Sequence, residues 1–174
     1  HVPLSDKAQK EAKELMAANT NLIKPSAGEP VINPSQDMVL GMYFLTRAHR
    51  KKKGEGMVFA NPDDAILAHE HGIIDLQAYI NVRMKNEEGE NEMVETSVGR
   101  LIFNSIIPEE LPFFNMTMQK KSLQTLVADS IRLAGDAKTV ILADDLKDMG
   151  FKYATKSGVS IALSDMVEPP ERDK

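Results

Sequence analysis

Cysteine and tryptophan are absent from the 174 residues. Without cysteine there is no disulfide and no thiolate metal site. Without tryptophan, and with aromatic residues making up only 5% of the chain, a base-stacking platform for single-stranded nucleic acid is disfavoured. Long hydrophobic runs are missing as well: no stretch approaches the roughly 18 to 20 apolar residues that a bilayer-spanning helix needs. Basic charge is not in excess. A net charge of −5 argues against a free-standing nucleic-acid binder, while leaving room for a local contact inside a larger basic assembly. No Gly-rich phosphate loop of the Walker or dinucleotide type occurs, and no serine sits in a Gly-x-Ser-x-Gly elbow. An initiator methionine is also lacking. His1 leads straight into Val2-Pro3-Leu4-Ser5, with nothing resembling a signal or transit peptide, so a segment of a longer protein is expected.

What is present suits one soluble globular domain with a real core: 42% of residues are apolar and 27% charged. Ser5 can cap a helix over 5–18 in which Ala8, Ala12, Leu15 and Met16 form an apolar stripe. Residues 22–30, with two prolines and a glycine, read as a turn and an extended passage. Ser35 caps a second helix, and 38–45 is apolar nearly all round, the pattern of a helix buried on most sides. Arg47, Arg50, Lys51, Lys52 and Lys53 then read as a basic helix end, favoured by the helix dipole or offered to a phosphate. Asn61-Pro62-Asp63-Asp64 starts another helix, stopped by Gly72.

Residues 76–85 alternate apolar and polar, the clearest strand in the chain, and 93–98 can return beside it after the polar turn 87–90. Residues 99–107 are ambiguous between helix and strand. The segment 120–133 is amphipathic, with Leu123, Leu126, Val127 and Ile131 on one face. Asp136 can cap a last long helix that ends or bends at Gly150, and 168–174 has the look of an exposed linker. The expected fold is α+β, with helices packed around a small antiparallel sheet.

Two constellations suggest metals. His69-Glu70-His71 lacks the His-Glu-x-x-His spacing, and two residues apart on a helix the imidazoles diverge by about 200°. Asp144, Asp145 and Asp148 share one helix, where they can hold a divalent ion or simply form a solvated face beside Lys147 and Lys152, with Asp165 as a further candidate ligand. Ser157-Gly158-Val159-Ser160, after a basic helix, is a weak hint of phosphate contact.

Three blocks are more specific. They are His1-Val2-Pro3-Leu4-Ser5 with Ala8-Gln9 and Glu11-Ala12; Gly28-Glu29-Pro30 with Pro34-Ser35-Gln36-Asp37-Met38-Val39-Leu40-Gly41; and Gly150-Phe151 with Tyr153-Ala154-Thr155-Lys156-Ser157-Gly158-Val159-Ser160. In order and spacing they resemble the β′ (largest) subunit of bacterial DNA-directed RNA polymerase. Weaker matches at Lys53-Gly54-Glu55-Gly56-Met57, Val98-Gly99-Arg100 and Lys120-Lys121 extend the resemblance over essentially the whole chain.

The resemblance implies that the position of His1 follows directly on the loop Asn-Ala-Asp-Phe-Asp-Gly-Asp-Gln-Met-Ala-Val, whose aspartates hold the catalytic Mg²⁺ in that family. No metal ligand or catalytic residue then lies in this chain, which by itself is expected to be inactive. It further implies a division into 1–20, the end of the active-site domain; 21–165, a pore domain of the Rpb1 domain 3 type; and 166–174, a linker toward the funnel helices. Such a pore domain supports the catalytic centre and lines the secondary channel, where NTPs enter and backtracked RNA leaves. The implied partners are the remainder of β′, the β, α, ω and σ subunits, template DNA, RNA, NTPs and Gre-type factors, in the cytoplasm and without membrane.

Residue by residue, the resemblance points to Gln36, which can contact a nucleotide or RNA end, hold the catalytic loop, or lie buried satisfying backbone groups. It also points to Lys156, Ser157 and Ser160 at the start of the funnel, with Lys156, and Arg100 as well, facing passing phosphates. A guanosine tetraphosphate site known in some members uses a lysine and a tyrosine where this chain has Ala137 and Asp148, and is not assigned. Two other classes stay open: a free-standing interaction or scaffold domain, and an acid-metal hydrolase built on Asp144, Asp145, Asp148 and Asp165.

Overall fold

Helix starts follow the capping signals closely. In the computed structural model, which describes residues 2–85 and 89–166, Ser5 accepts a hydrogen bond from the Ala8 amide at the head of α1 (Asp6–Glu11). α2 spans Gln36–Thr46, and Ser35 holds the cap position without a side-chain bond. Asn61 accepts from the Asp64 amide at 2.8 Å to open α3 (Pro62–Glu70), and Gly72, with φ of 68°, follows its end. The ambiguous stretch after residue 97 is helical: Ser97 caps α4 (Val98–Asn104). α5 (Lys120–Leu133) buries Leu123, Leu126 and Val127 as its periodicity predicts.

The strand pattern gives β2 (Tyr79–Lys85) and β3 (Asn91–Ser97), antiparallel with Tyr79 opposite Ser97 and Lys85 opposite Asn91. Ile80 and Val82 point inward and are fully buried, while Arg83 on the other face is exposed. The sheet is not purely antiparallel, however. β1 (Val58–Phe59) joins β2 in parallel, giving the order β1-β2-β3. Two residues are too few for an alternation pattern to announce. Of the polar turn at 87–90, residues 87 and 88 lie outside the described residues, as do His1 and the proposed linker at 168–174.

Three further expectations are corrected. The first helix is short: after α1 the chain makes a π turn over Ala12–Met16, and none of its side chains is buried. Its apolar stripe, with Leu15 and Met16 exposed, is not buried against any element among the described residues, so little supports a regular α-helix there. Asp136 is the first residue of α6 (Asp136–Ser157), not its cap; that place belongs to Gly135, with φ of 83°. Lastly, α6 runs through Gly150 without ending.

Gly150 is where α6 meets α2. A Cβ on Gly41 would lie 1.8 Å from the Gly150 carbonyl oxygen, and one on Gly150 would lie 2.7 Å from Met38 Cα. Small residues let two helix backbones touch, and here they also set a parallel crossing, since Gly41 reaches both Gly150 and Ala154. On its other side α2 meets α4, where a Cβ on Gly99 would lie 1.8 Å from the Leu45 carbonyl oxygen. Around these crossings Met42, Leu45, Val98, Phe103, Leu142 and Leu146 form one core.

Gly41→Ala tests this crossing by its sign. In an open helix the change would gain about 1 kcal/mol. Here the added methyl must displace backbone, an overpacking cost of roughly 1–3 kcal/mol or more, so urea unfolding is expected to show a net loss of stability. A midpoint equal to or above that of the parent chain would refute the close approach.

Candidate functional site

α2 carries the first candidate at its start. Gln36 stands at φ of 46°, a left-handed conformation rare outside glycine. Its side chain is exposed, so the buried-glutamine reading does not hold. Pro34, two residues earlier, is buried and anchors the approach to the helix. Asn33 Nδ2 donates to the Pro30 carbonyl at 3.0 Å, fixing the same segment.

The other end of α2 is stitched into the body through carbonyls that a helix C-terminus leaves without partners. Gln77 Nε2 donates to the Phe44 carbonyl at 2.7 Å, and Arg100 Nε donates to the Thr46 carbonyl at 3.0 Å. Thr46, fully buried, donates its hydroxyl proton to Met42 and accepts the Met118 amide at 2.8 Å. Because α2 stops at Thr46, the basic cluster is not a helix end. Residues 47–53 instead run as a turn bridged to the sheet by His49 opposite Ala78. Arg50 pairs with Glu55 and Glu95, which hold its guanidinium pKa above the ordinary value, and stacks 4.3 Å from the Tyr79 ring centroid. Lys52 pairs with Asp75, and Lys53 donates to the Gly72 carbonyl.

Arg100 is 8% exposed. Besides Thr46 it donates to the side-chain and main-chain oxygens of Asn115 at 3.0 and 3.3 Å, with Tyr79 beneath it. Asn104 completes the arrangement, accepting the Phe114 amide and donating to its carbonyl. The guanidinium therefore holds the irregular segment 108–119 against α2 and α4. The partners Thr46, which is buried, Asn104, which is half-buried, and Asn115, which is exposed, were not singled out from the sequence, because short polar residues at scattered positions carry no periodic signal.

Lys156 and Ser157 lie in the last turn of α6, where a cation is favoured by the dipole. Lys152 and Lys156 place their Nζ atoms 5.8 and 5.2 Å from the ring centroid of Tyr153, which is itself buried. Burial pushes the Tyr153 phenol above its ordinary pKa. Ser157 donates to the Ala154 carbonyl at 2.6 Å, Gly158 closes the helix at φ of 60°, and Ser160 is exposed beyond it. The parallel crossing separates these residues from Gln36. Met38 contacts Gly150, so Gln36 lies beside an earlier part of α6, more than a helical turn from Lys156. Gln36, Arg100 and the Lys156–Ser160 group thus form three places on one scaffold, not one cluster.

Several of the metal candidates are otherwise engaged. His69 Nδ1 lies 3.0 Å from the Ile74 carbonyl. Lys147 reaches both Asp144 at 2.9 Å and Asp148 at 3.5 Å, and the two carboxylates raise its pKa. Asp165 accepts the Ala162 amide at 2.8 Å. Among the described residues no three His, Asp or Glu side chains are grouped to hold an ion. No helix among the described residues is long and apolar enough to cross a membrane.

Two predictions follow from this geometry. Arg100→Lys keeps the charge but cannot reach Thr46 and Asn115 together, so thermal unfolding is expected to show a loss of about 1–3 kcal/mol; an unchanged Tm would contradict the internal clamp. Tyr153 favours its neutral form in the fold. Its contribution is therefore complete below the ordinary tyrosine pKa of about 10 and lost as pH rises through the higher folded value. Tyr153→Phe should flatten the fall in stability seen in denaturant titrations on going from about pH 9 to 11. An unchanged slope would count against the burial effect.

Comparison with known proteins gives a consistent picture. The family model described as RNA polymerase Rpb1, domain 3 matches residues 21–166. The DNA-directed RNA polymerase subunit beta′ of Desulforamulus reducens is 46% identical over 169 residues, 97% of this chain and 14% of that protein. The subunit beta′ of Dehalococcoides mccartyi is 44% identical over 174 residues, 100% of this chain and 13% of that protein. That of Xylella fastidiosa is 43% identical over 182 residues, 99% of this chain and 13% of that protein. The chain thus spans about one seventh of the length of the curated relatives it matches.

Proposed function

Because this chain belongs to the RNA polymerase Rpb1 domain 3 family, we propose that it acts as the pore domain of a β′-type subunit, supporting the catalytic centre and lining the secondary channel. The observation that carries this reading is the match over residues 21–166, on a fold whose α2 is locked at both crossings yet begins with an exposed, left-handed Gln36. Such a helix is a rigid post: neighbouring segments repack before it tilts. Gln36, on a fixed backbone, offers both a donor and an acceptor to an NTP, to an RNA end or to the adjoining catalytic loop. Lys156, Ser157 and Ser160 form a second polar edge, where Lys156 attracts phosphates passing along the channel. Arg100 serves from within, as the clamp that keeps 108–119 and α2 in register.

On this reading the magnesium ligands belong to the loop that precedes the position of His1 in the family, and nucleotidyl transfer is a property of the assembled polymerase. The β, α, ω and σ subunits, template DNA, RNA and Gre-type factors are then partners of that assembly, in the cytoplasm. On this reading the chain alone is inactive; within it Asp144 and Asp148 pair with Lys147, and Asp165 accepts the Ala162 amide.

The test is reconstitution. Flanking β′ pieces from a relative are mixed with α, β and ω, with or without this chain, and assayed for Mg²⁺-dependent RNA extension. Extension only in its presence is the expected outcome, with none from the chain alone. Gln36→Ala should then slow extension about tenfold, the size of one lost hydrogen bond to a charged group. Equal extension without the chain, with assembly confirmed by mass, would remove the reading.

A further inference from the structure

Among the described residues no strand pairs with the outer edge of β3, and the register shows which of its groups face outward. Asn81 donates its amide to Met57, and Tyr79 accepts from Gly56, so odd-numbered residues of β2 bond toward β1. Their opposite numbers on β3 are Ser97, Glu95, Met93 and Asn91. Opposed residues in an antiparallel pair alternate between bonded and non-bonded; these pairs are the non-bonded ones. The amides and carbonyls of Asn91, Met93 and Glu95 therefore point away from the sheet. The Glu95 carbonyl is already met there by Asn115 Nδ2 at 2.8 Å, which shows that the edge accepts donors from this side. Asn91 and Met93 lie further along it.

Beside this stretch is a groove of about 650 Å³. It is lined by Met84 and Val94, on the face of the sheet that carries Ile80 and Val82, and by Leu111, Pro112 and Phe113. The charges around it are mainly acidic. Glu109 lines the wall and Glu92 lies on β3; both are exposed and without an ion pair among the described residues. Glu110 is neutralised by Lys138, which holds its pKa below the ordinary carboxylate value. Lys85, at the end of β2, is the one cation lining the groove among the described residues.

We propose that this edge and groove are a docking site for an extended, basic segment of another polypeptide, which adds a fourth strand beside Asn91–Met93. Main-chain bonds supply affinity, and alternate side chains supply selectivity, as in strand addition generally. An apolar side chain of the segment enters between Met84, Val94 and Phe113, while flanking lysines or arginines meet Glu92 and Glu109. Edge strands are normally blunted by lysine, proline or a covering element. Here Asn115 covers one position, Arg50 sits across Glu95, and the rest is acidic and open. The inference rests on the sheet and does not depend on the polymerase reading.

The experiment uses the 174-residue chain, labelled for NMR, and an acetylated heptapeptide of alternating lysine and valine. The peptide is expected to slow amide exchange at Asn91 and Met93 and to shift Leu111 and Phe113. Glu109→Lys should weaken binding about tenfold by turning an attraction into a repulsion. A glutamate–valine peptide should bind at least about tenfold more weakly for the same reason. Met93→Pro removes an amide that β2 does not use, so the edge strand tolerates it, and binding should be lost with the spectrum otherwise preserved. Equal binding of both peptides, protection elsewhere, no binding at millimolar peptide, or self-association of the chain through β3 in sedimentation would each overturn the proposal.

Discussion

The contact between Gly41 and Gly150 sets the distance from which everything else is measured. Two helices whose backbones touch cannot slide or separate without losing that contact, and neither position can carry a Cβ. α2 is then gripped on its far side by Gly99 at the Leu45 carbonyl. A helix held between two such approaches has little freedom, and the interior is too tightly packed to yield gradually. The sheet, α4 and α6 take their positions from it.

The polar contacts at the end of α2 extend the same constraint. Thr46 and Arg100 sit where a helix terminus would otherwise leave carbonyls bare in the core. Their partners reach across the chain to Met118 and Asn115. An irregular segment of a dozen residues is thereby ordered without secondary structure of its own. Ser130 and Thr139 do the same for the junction of α5 and α6, their hydroxyls 2.8 Å apart and both buried. Each such group is costly if left alone and modestly stabilising when paired, so these contacts specify one arrangement more than they add to its stability.

Charge is distributed differently from the sequence impression. The run of cations at 47–53 has the look of a surface for phosphate, yet Arg50, Lys52 and Lys53 are tied to the sheet and the α3 turn. The acidic patch on α6 is threaded by Lys147. Among the described residues, exposed polar side chains outside these pairings include Gln36, Ser160 beyond the end of α6 and Glu92 on β3. Exposure combined with a fixed backbone, more than charge density, distinguishes the places where this fold can meet another molecule.

Local signals sufficed for much of the architecture. Caps at Ser5, Asn61 and Ser35, the alternation through Ile80 and Val82, and the stripe on α5 depend on near neighbours in the chain, so sequence determines them. The order of blocks around Pro34-Ser35-Gln36-Asp37 likewise identified the family. Tertiary structure decided what local rules cannot contain. Gly150 reads as a helix breaker until α2 is laid against it. Arg100 reads as a cation facing passing phosphates until Thr46 and Asn115 close around it and bury it within the fold. β1 exists only because β2 offers it an edge, and the first helix lapses into a π turn because nothing among the described residues buries its stripe. In each case the energy comes from a partner distant in sequence, and a pattern read along the chain holds no record of that partner.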